Sequence, residues 1–143
     1  MVNEKCFLAI NDEKDKRDFN SAQLYCEKIS ANLAEIENNE ENDLVASISG
    51  SQYAWIGIRR NETNKNTWIF PSGKSATYFN WNSGEPNNYK GRNEDCTMMY
   101  SSNHQTVSVR KRWNDATCSD TYRFVCSTQG EILKNNQNLI YVY

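Results

Sequence analysis

Five oxygen-bearing side chains in two clusters have the chemistry of a metal site. Glu85 and Asn87 flank Pro86, Glu94 follows within the same stretch, and Asn114-Asp115 come directly after Trp113. All five offer hard oxygen donors and none is a thiolate or an imidazole. Such a set suits calcium, which takes about 6–8 oxygens at about 2.3–2.6 Å. A transition metal would recruit His or Cys, and the single histidine, His104, stands outside both clusters. The donors lie on separated segments, so the fold must bring them together. Cys96 and Cys118 sit where a disulfide could staple those segments. No Ser/His/Asp or Cys/His nucleophile constellation appears. Glu85 and Glu94 could imitate a glycosidase pair, but a bound calcium would keep both ionised and remove the general acid. An enzyme is therefore not expected.

The elements that must position these donors can be read from local pattern. Cys6 to Ile10 is short and apolar and reads as an edge strand. Phe19, Ala22, Cys26 and Ile29 share a helical face, with Asp18 as N-cap. A second helix starts at Asn38, has Glu41 near its start, buries Leu44, Val45 and Ile48, and ends at Gly50. Tyr53 to Arg59, Thr67 to Phe70, Cys96 to Tyr100, Val107 to Trp113 and Arg123 to Cys126 read as strands. Residues 74 to 95 show no sustained period, yet Tyr78, Phe79 and Trp81 favour an ordered loop packed on itself. Two early helices, late strands and this long ordered loop region predict an α+β fold on a mainly antiparallel sheet.

Bulk composition narrows the function class. At 143 residues the chain fits one domain with a real core. Sixteen basic against eighteen acidic residues argue against a nucleic-acid binder, which would carry a strongly basic face. No apolar run approaches the ~18 residues of a membrane span, so no membrane insertion is expected. Five cysteines point to an oxidising compartment, hence a secreted protein or the extracellular part of a membrane protein. Residues 1–5 carry no signal-peptide core, so the chain reads as a mature domain or fragment. The expected division is a domain over 1–128 and a tail over 129–143, either an added strand or disordered.

At this point the sequence resembles a C-type lectin-like domain of the mannose-type group. The marks are Cys26, Trp55-Ile56-Gly57-Ile58, Glu85-Pro86-Asn87, Glu94-Asp95-Cys96, Trp113-Asn114-Asp115 followed by Cys118, and Phe124-Val125-Cys126. Each alone is weak, and in this order and spacing they are strong. The resemblance covers roughly Cys6 to Cys126. It implies the pairs Cys26–Cys126 and Cys96–Cys118. In the chain-entropy model these are worth up to about 4.7 kcal/mol for a ~100-residue loop and about 3 kcal/mol for a ~20-residue one. Gly57 is expected to permit a close backbone approach in a strand.

The resemblance also implies the site. Glu85, Asn87, Glu94, Asn114 and Asp115 would hold one Ca2+ and leave places for vicinal sugar hydroxyls, with the amides donating to those hydroxyls and the acids accepting from them. Glu-Pro-Asn implies equatorial 3- and 4-hydroxyls, as in mannose, fucose or N-acetylglucosamine, and a cis Pro86. Tyr89 and Arg92, with Lys90, could touch a second sugar ring or be plain solvated loop residues. Arg110-Lys111-Arg112 could favour anionic glycans or form a charged strand face. Related lectins carry an auxiliary calcium site built on an acid where Arg60 stands here, together with residues matching Asn88 and Asp95, so a single ion is expected, with Arg60 paired to Asp95 or Glu62. Asn61-Glu62-Thr63 is a glycosylation sequon. Cys6 matches a cysteine whose family partner lies upstream, which leaves a free thiol, a truncated pair or a bridge between chains; a homo-oligomer could form through Cys6 or the tail. The alternative to sugar binding is an adhesion or receptor domain that recognises a protein or other non-sugar ligand on the same fold.

Overall fold

The computed structural model describes residues 5–50, 52–129 and 141–142. Its elements run β1 (Lys5–Ile10), α1 (Phe19–Lys28), β2 (Asn32–Leu33), α2 (Asn39–Ile48), β3 (Tyr53–Arg60), β4 (Trp68–Ile69), β5 (Cys96–Tyr100), β6 (Trp113–Ala116), β7 (Arg123–Gln129) and β8 (Tyr141–Val142). The α+β expectation holds. The main sheet runs β6-β5-β3-β7-β1-β8, with β2 added beside β7 and β4 beside β3. Among the described strands only the β3–β7 pairing is parallel. Residues 130–140 and 143 of the expected tail lie outside the described residues. No helix among the described residues is long and apolar enough to cross a membrane.

Both helices begin where side chains can satisfy their first N–H groups. Asp18 Oδ1 accepts from Ser21 N–H at 2.8 Å, and Asn38 Oδ1 accepts from Glu41 N–H at 2.8 Å. Glu41 then reaches back one residue beyond the cap, its Oε2 accepting from Glu37 N–H at 2.8 Å. The same oxygen accepts from the buried Lys5 Nζ at 3.0 Å, which also pairs with Glu37 at 2.8 Å. This bonded cluster lets a lysine sit in the interior at the start of β1.

Successive residues of a strand point to opposite faces, and here both faces of the sheet are covered. From β1, Cys6, Leu8 and Ile10 join the core beneath α1, together with Trp55, Phe124 and the Cys26–Cys126 bridge. Phe7 faces the other way into a second core with Ile36, Val45, Ile56, Ile58, Trp68, Met99 and Trp113. Pairing with β7 on one side and, at Cys6 and Phe7, with β8 on the other corrects the edge-strand reading of β1. A strand covered on both sides reads as a continuous apolar run. At Gly57 the backbone of Leu33 and Ala34 comes close. A Cβ there would sit 2.2 Å from Leu33 O, while Gly57 N–H donates to Ala34 O at 2.8 Å.

The expected strand over Val107 to Trp113 is not formed. Val107–Val109 is a 3₁₀ turn, Val107 is 68% exposed, and Lys111 adopts a left-handed backbone with φ 66°. Lys111 O accepts from Asn80 Nδ2 at 2.7 Å and from Asn42 Nδ2 at 3.1 Å. The apparent alternation therefore crosses a bend, and β6 begins only at Trp113. Its indole is buried and donates to Asn42 Oδ1 at 2.7 Å. A single buried amide of α2 thus fixes both the bend and the start of the strand that carries Asn114 and Asp115.

Candidate metal centre

Residues 74 to 95 form an ordered loop, as the aromatics predicted. Trp81 packs on Trp68 at 4.8 Å and on Trp113 at 5.7 Å between ring centroids. Asn82 N–H donates to Trp113 O at 2.8 Å, which hangs the following residues beside β6. The Glu85-Pro86 bond is cis. At the loop's far end Cys96 opens β5, paired with β6, and is bridged to Cys118.

Asp115 is the buried centre of this region, with no exposed surface. Its carboxylate accepts from Asn87 N–H at 3.1 Å to each oxygen and from Asn88 N–H at 2.9 Å. Those backbone donors wrap the Glu85-Pro86-Asn87 turn around it. Asn87 Nδ2 donates to Glu85 Oε1 at 3.1 Å. Glu94 accepts from Tyr89 N–H, while its own N–H donates to Asn88 Oδ1 at 3.3 Å.

Among the five expected donors, two oxygens are left over. Glu85 Oε2 and Asn114 Oδ1 are both buried and find no hydrogen-bond partner. Most buried polar atoms are satisfied, so an orphaned acceptor calls for an explanation such as an ion. The two come from the two different segments. The electrostatics point the same way. Burial pushes the Glu85 carboxyl up to about 7, reinforced by contact with the Asp115 carboxyl and by the charges of Asp115 and Glu94. Burial also raises Glu94, with the Asp115 charge adding to it and the Tyr89 N–H opposing. Crowded carboxylates with shortened access to water are stabilised by a cation.

Of the five expected donors, the structure joins Glu85, Asn87 and Asp115 by direct contact. Glu94 is held within the loop through Tyr89, and Asn114 sits on β6 beside Tyr100 of β5, whose hydroxyl it contacts. Among the described residues no three His, Cys, Asp or Glu side chains form a group able to hold a metal. Two of the expected donors are amides, and the Asp115 and Glu94 carboxylates accept from backbone N–H groups. By donor chemistry the set nonetheless fits an oxygen-seeking cation, because its two bare oxygens are a carboxylate and an amide carbonyl.

Sequence reasoning overlooked Asn42 and gave Asn88 no part in this site. Asn88 has a left-handed backbone and serves Asp115, Glu94 and Arg60 at once; its only visible trace is a second Asn in the run Pro86-Asn87-Asn88. Arg60 pairs with Asp95 at 3.2 Å, as one of the two expected options, while Glu62 pairs with Arg59 at 3.8 Å. Tyr89 is 56% exposed with Lys90 Nζ over its ring, and Arg92 is exposed beside it. Arg110, Lys111 and Arg112 are engaged by His104 O, Asp43 and Asn80. Asn61 Oδ1 accepts from Thr63 N–H and Oγ1 within an exposed turn.

The family model for the Lectin C-type domain matches residues 15–128. The chain belongs to the C-type lectin domain family. It is 31% identical over 128 residues to a C-type lectin mannose-binding isoform of Oxyuranus scutellatus, covering 85% of this chain and 75% of that protein. Its fold is similar to the carbohydrate-recognition domain of cow CD23, solved in the presence of GlcNAc2Man3 oligosaccharide, with TM-score 0.72, 27% identity and 89% of each chain covered. It is as close to herring type II antifreeze protein, with TM-score 0.73, 26% identity, and 92% and 95% of the two chains covered. C-type lectin domains are non-enzymatic binding modules that generally take carbohydrate, and many bind Ca2+.

Proposed function

We propose that this C-type lectin domain binds glycans through one calcium ion held by Glu85, Asn87, Glu94, Asn114 and Asp115. The observation that carries the reading is the pair of orphaned buried oxygens, Glu85 Oε2 and Asn114 Oδ1, at a crowd of carboxylates. When bound, the ion would supply a Lewis-acidic centre able to take vicinal hydroxyls as ligands. The chain's own residues orient the sugar: Asn87 and Asn114 have amide N–H groups to give to its hydroxyls, and Glu85 and Glu94 have lone pairs to receive from them. The Glu85-Pro86-Asn87 order supports equatorial 3- and 4-hydroxyls, as in mannose, fucose or N-acetylglucosamine. The mannose-binding relative and the oligosaccharide present with the CD23 domain agree with that preference.

Tyr89 and Arg92, exposed on the same loop, are proposed to contact a second ring. Anionic glycans gain less support, because each residue of Arg110-Lys111-Arg112 already has an intramolecular partner. The two disulfides support an extracellular setting. The domain unit 1–128, a glycan at Asn61 and self-association through the tail belong to the same proposal. A bridge from Cys6 to a second chain finds little support, since Cys6 is only 6% exposed.

The second reading, a non-sugar ligand on the same surface, is favoured by the equal likeness to an antifreeze protein. A glycan array read with calcium and with chelator separates them. Binding to mannose-type glycans that chelator abolishes supports the proposal, and silence toward every glycan in calcium supports the alternative.

A further inference from the structure

Arg60, the last residue of β3, sends its guanidinium between the 88–95 loop and β6. Nε donates to Asp95 Oδ1 at 3.2 Å, and Nη2 donates to Asn88 Oδ1 at 3.3 Å and to Glu94 O at 3.4 Å. Nη2 also lies 3.8 Å from Asp115 Oδ2, and Nη1 donates to Lys65 O at 3.0 Å in the β3–β4 turn. The guanidinium carbon lies 4.4 Å from the Trp68 ring centroid, and the side chain is only 13% exposed. One side chain thus reaches the β3–β4 turn, the 88–95 loop and β6.

Two effects of opposite sign follow from that placement. A permanent positive charge repels an arriving cation, whereas a rigid fork of donors holds the acceptors in place. The geometry favours the second. The donors of Arg60 are spent on Asp95, Asn88, Glu94 O and Lys65 O, its closest proposed ligand oxygen is the one on Asp115 at 3.8 Å, and neither orphaned oxygen is among its partners. We infer that Arg60 is a positioning residue that locks the 88–95 loop against Asp115 before calcium arrives. The metal then meets a nearly assembled site and need not order the loop on binding. The link to affinity rests on the calcium reading above; the locking of the loop does not.

The test compares Arg60→Met, which keeps an apolar stem on Trp68, with Arg60→Lys, which keeps the charge and loses the fork. Calcium affinity is measured by calorimetry, and trypsin cleavage after Lys90 and Arg92 is followed in chelator. Arg60→Met is expected to weaken calcium binding about 10–100-fold, the usual effect of losing an outer partner of a metal ligand, and to speed cleavage in chelator. Arg60→Lys should recover little of either. Asp95→Asn, which removes the guanidinium's main anchor, should act in the same direction, and the double variant should be no worse than Arg60→Met. Tighter or unchanged calcium binding in Arg60→Met, or full recovery by Arg60→Lys, overturns the inference. If the native protein takes up no calcium, the calcium reading fails by itself, and an unchanged cleavage rate in chelator would still overturn the locking.

Discussion

Asn88 N–H donates to the Asp115 carboxylate at 2.9 Å across 27 residues of sequence. This bond and its two neighbours from Asn87 place a buried negative charge at the floor of the site. Asp115→Asn should separate the two duties of that carboxylate. One amide oxygen still accepts from the loop, and the repulsion of Glu85 is relieved. The calcium-free variant should therefore unfold within about 1 kcal/mol of the native protein, the scale of one ordinary hydrogen bond. The stabilisation by calcium, about 2.7 kcal/mol at a hundredfold excess over Kd, should vanish. Thermal unfolding with calcium and with chelator reads both.

The raised Glu85 carboxyl makes stability depend on pH in a direction that calcium reverses. Its ordinary value is 4.5 and the folded protein holds it at about 7. In chelator the folded chain binds more protons than the unfolded one between those values. The Glu85 contribution is then fully present below about 4.5 and is lost as pH rises through about 7. With calcium the trend inverts, because protons compete with the ion for the same oxygens. Melting curves at pH 5 to 8 should show the two opposite slopes, and Glu85→Gln should flatten both. Parallel slopes in the two buffers would show that Glu85 does not meet the ion.

Gly57→Ala should be among the most damaging small substitutions in the chain. Its Cβ would meet Leu33 O at 2.2 Å, and backbone cannot swing aside as a side chain can. A loss of about 3 kcal/mol, the upper range for overpacking, is expected in urea unfolding. A loss below ~1 kcal/mol would mean that β2 can move off β3.

Asn42→Ala tests the link from α2 to the site. It strips the buried Trp113 indole of its acceptor and Lys111 O of one donor. The indole left unpaired costs about 1–3 kcal/mol, while Lys111 O keeps its bond from Asn80. Weaker calcium binding should accompany the lost stability, because Trp113 leads directly into Asn114 and Asp115. Stability lost at unchanged calcium affinity would show that the bend before β6 does not position the donors.

Local signals made much of this molecule readable. Asp18 and Asn38 cap their helices because a short acceptor next to free N–H groups acts over three residues, whatever the rest of the chain does. Gly57 and the aromatics around Trp81 were also legible by type. The misreadings arose where distant partners decide. Cys6 to Ile10 looked like an edge because the residues that pair on its second side, Tyr141–Val142, stand at the other end of the chain. Val107 to Trp113 alternated like a strand, yet Asn42 and Asn80 pull Lys111 into a bend. The donor list followed from the family resemblance, whereas the hold of Asn88 and Arg60 on Asp115 depends on backbone geometry that composition and spacing do not carry.

Calorimetric titration of calcium into the metal-free protein, followed by methyl mannoside, addresses the central claim most directly. The account predicts one ion per chain and sugar binding that appears only once that ion is bound. Two ions, no uptake at all, or mannoside binding that persists in chelator would contradict it.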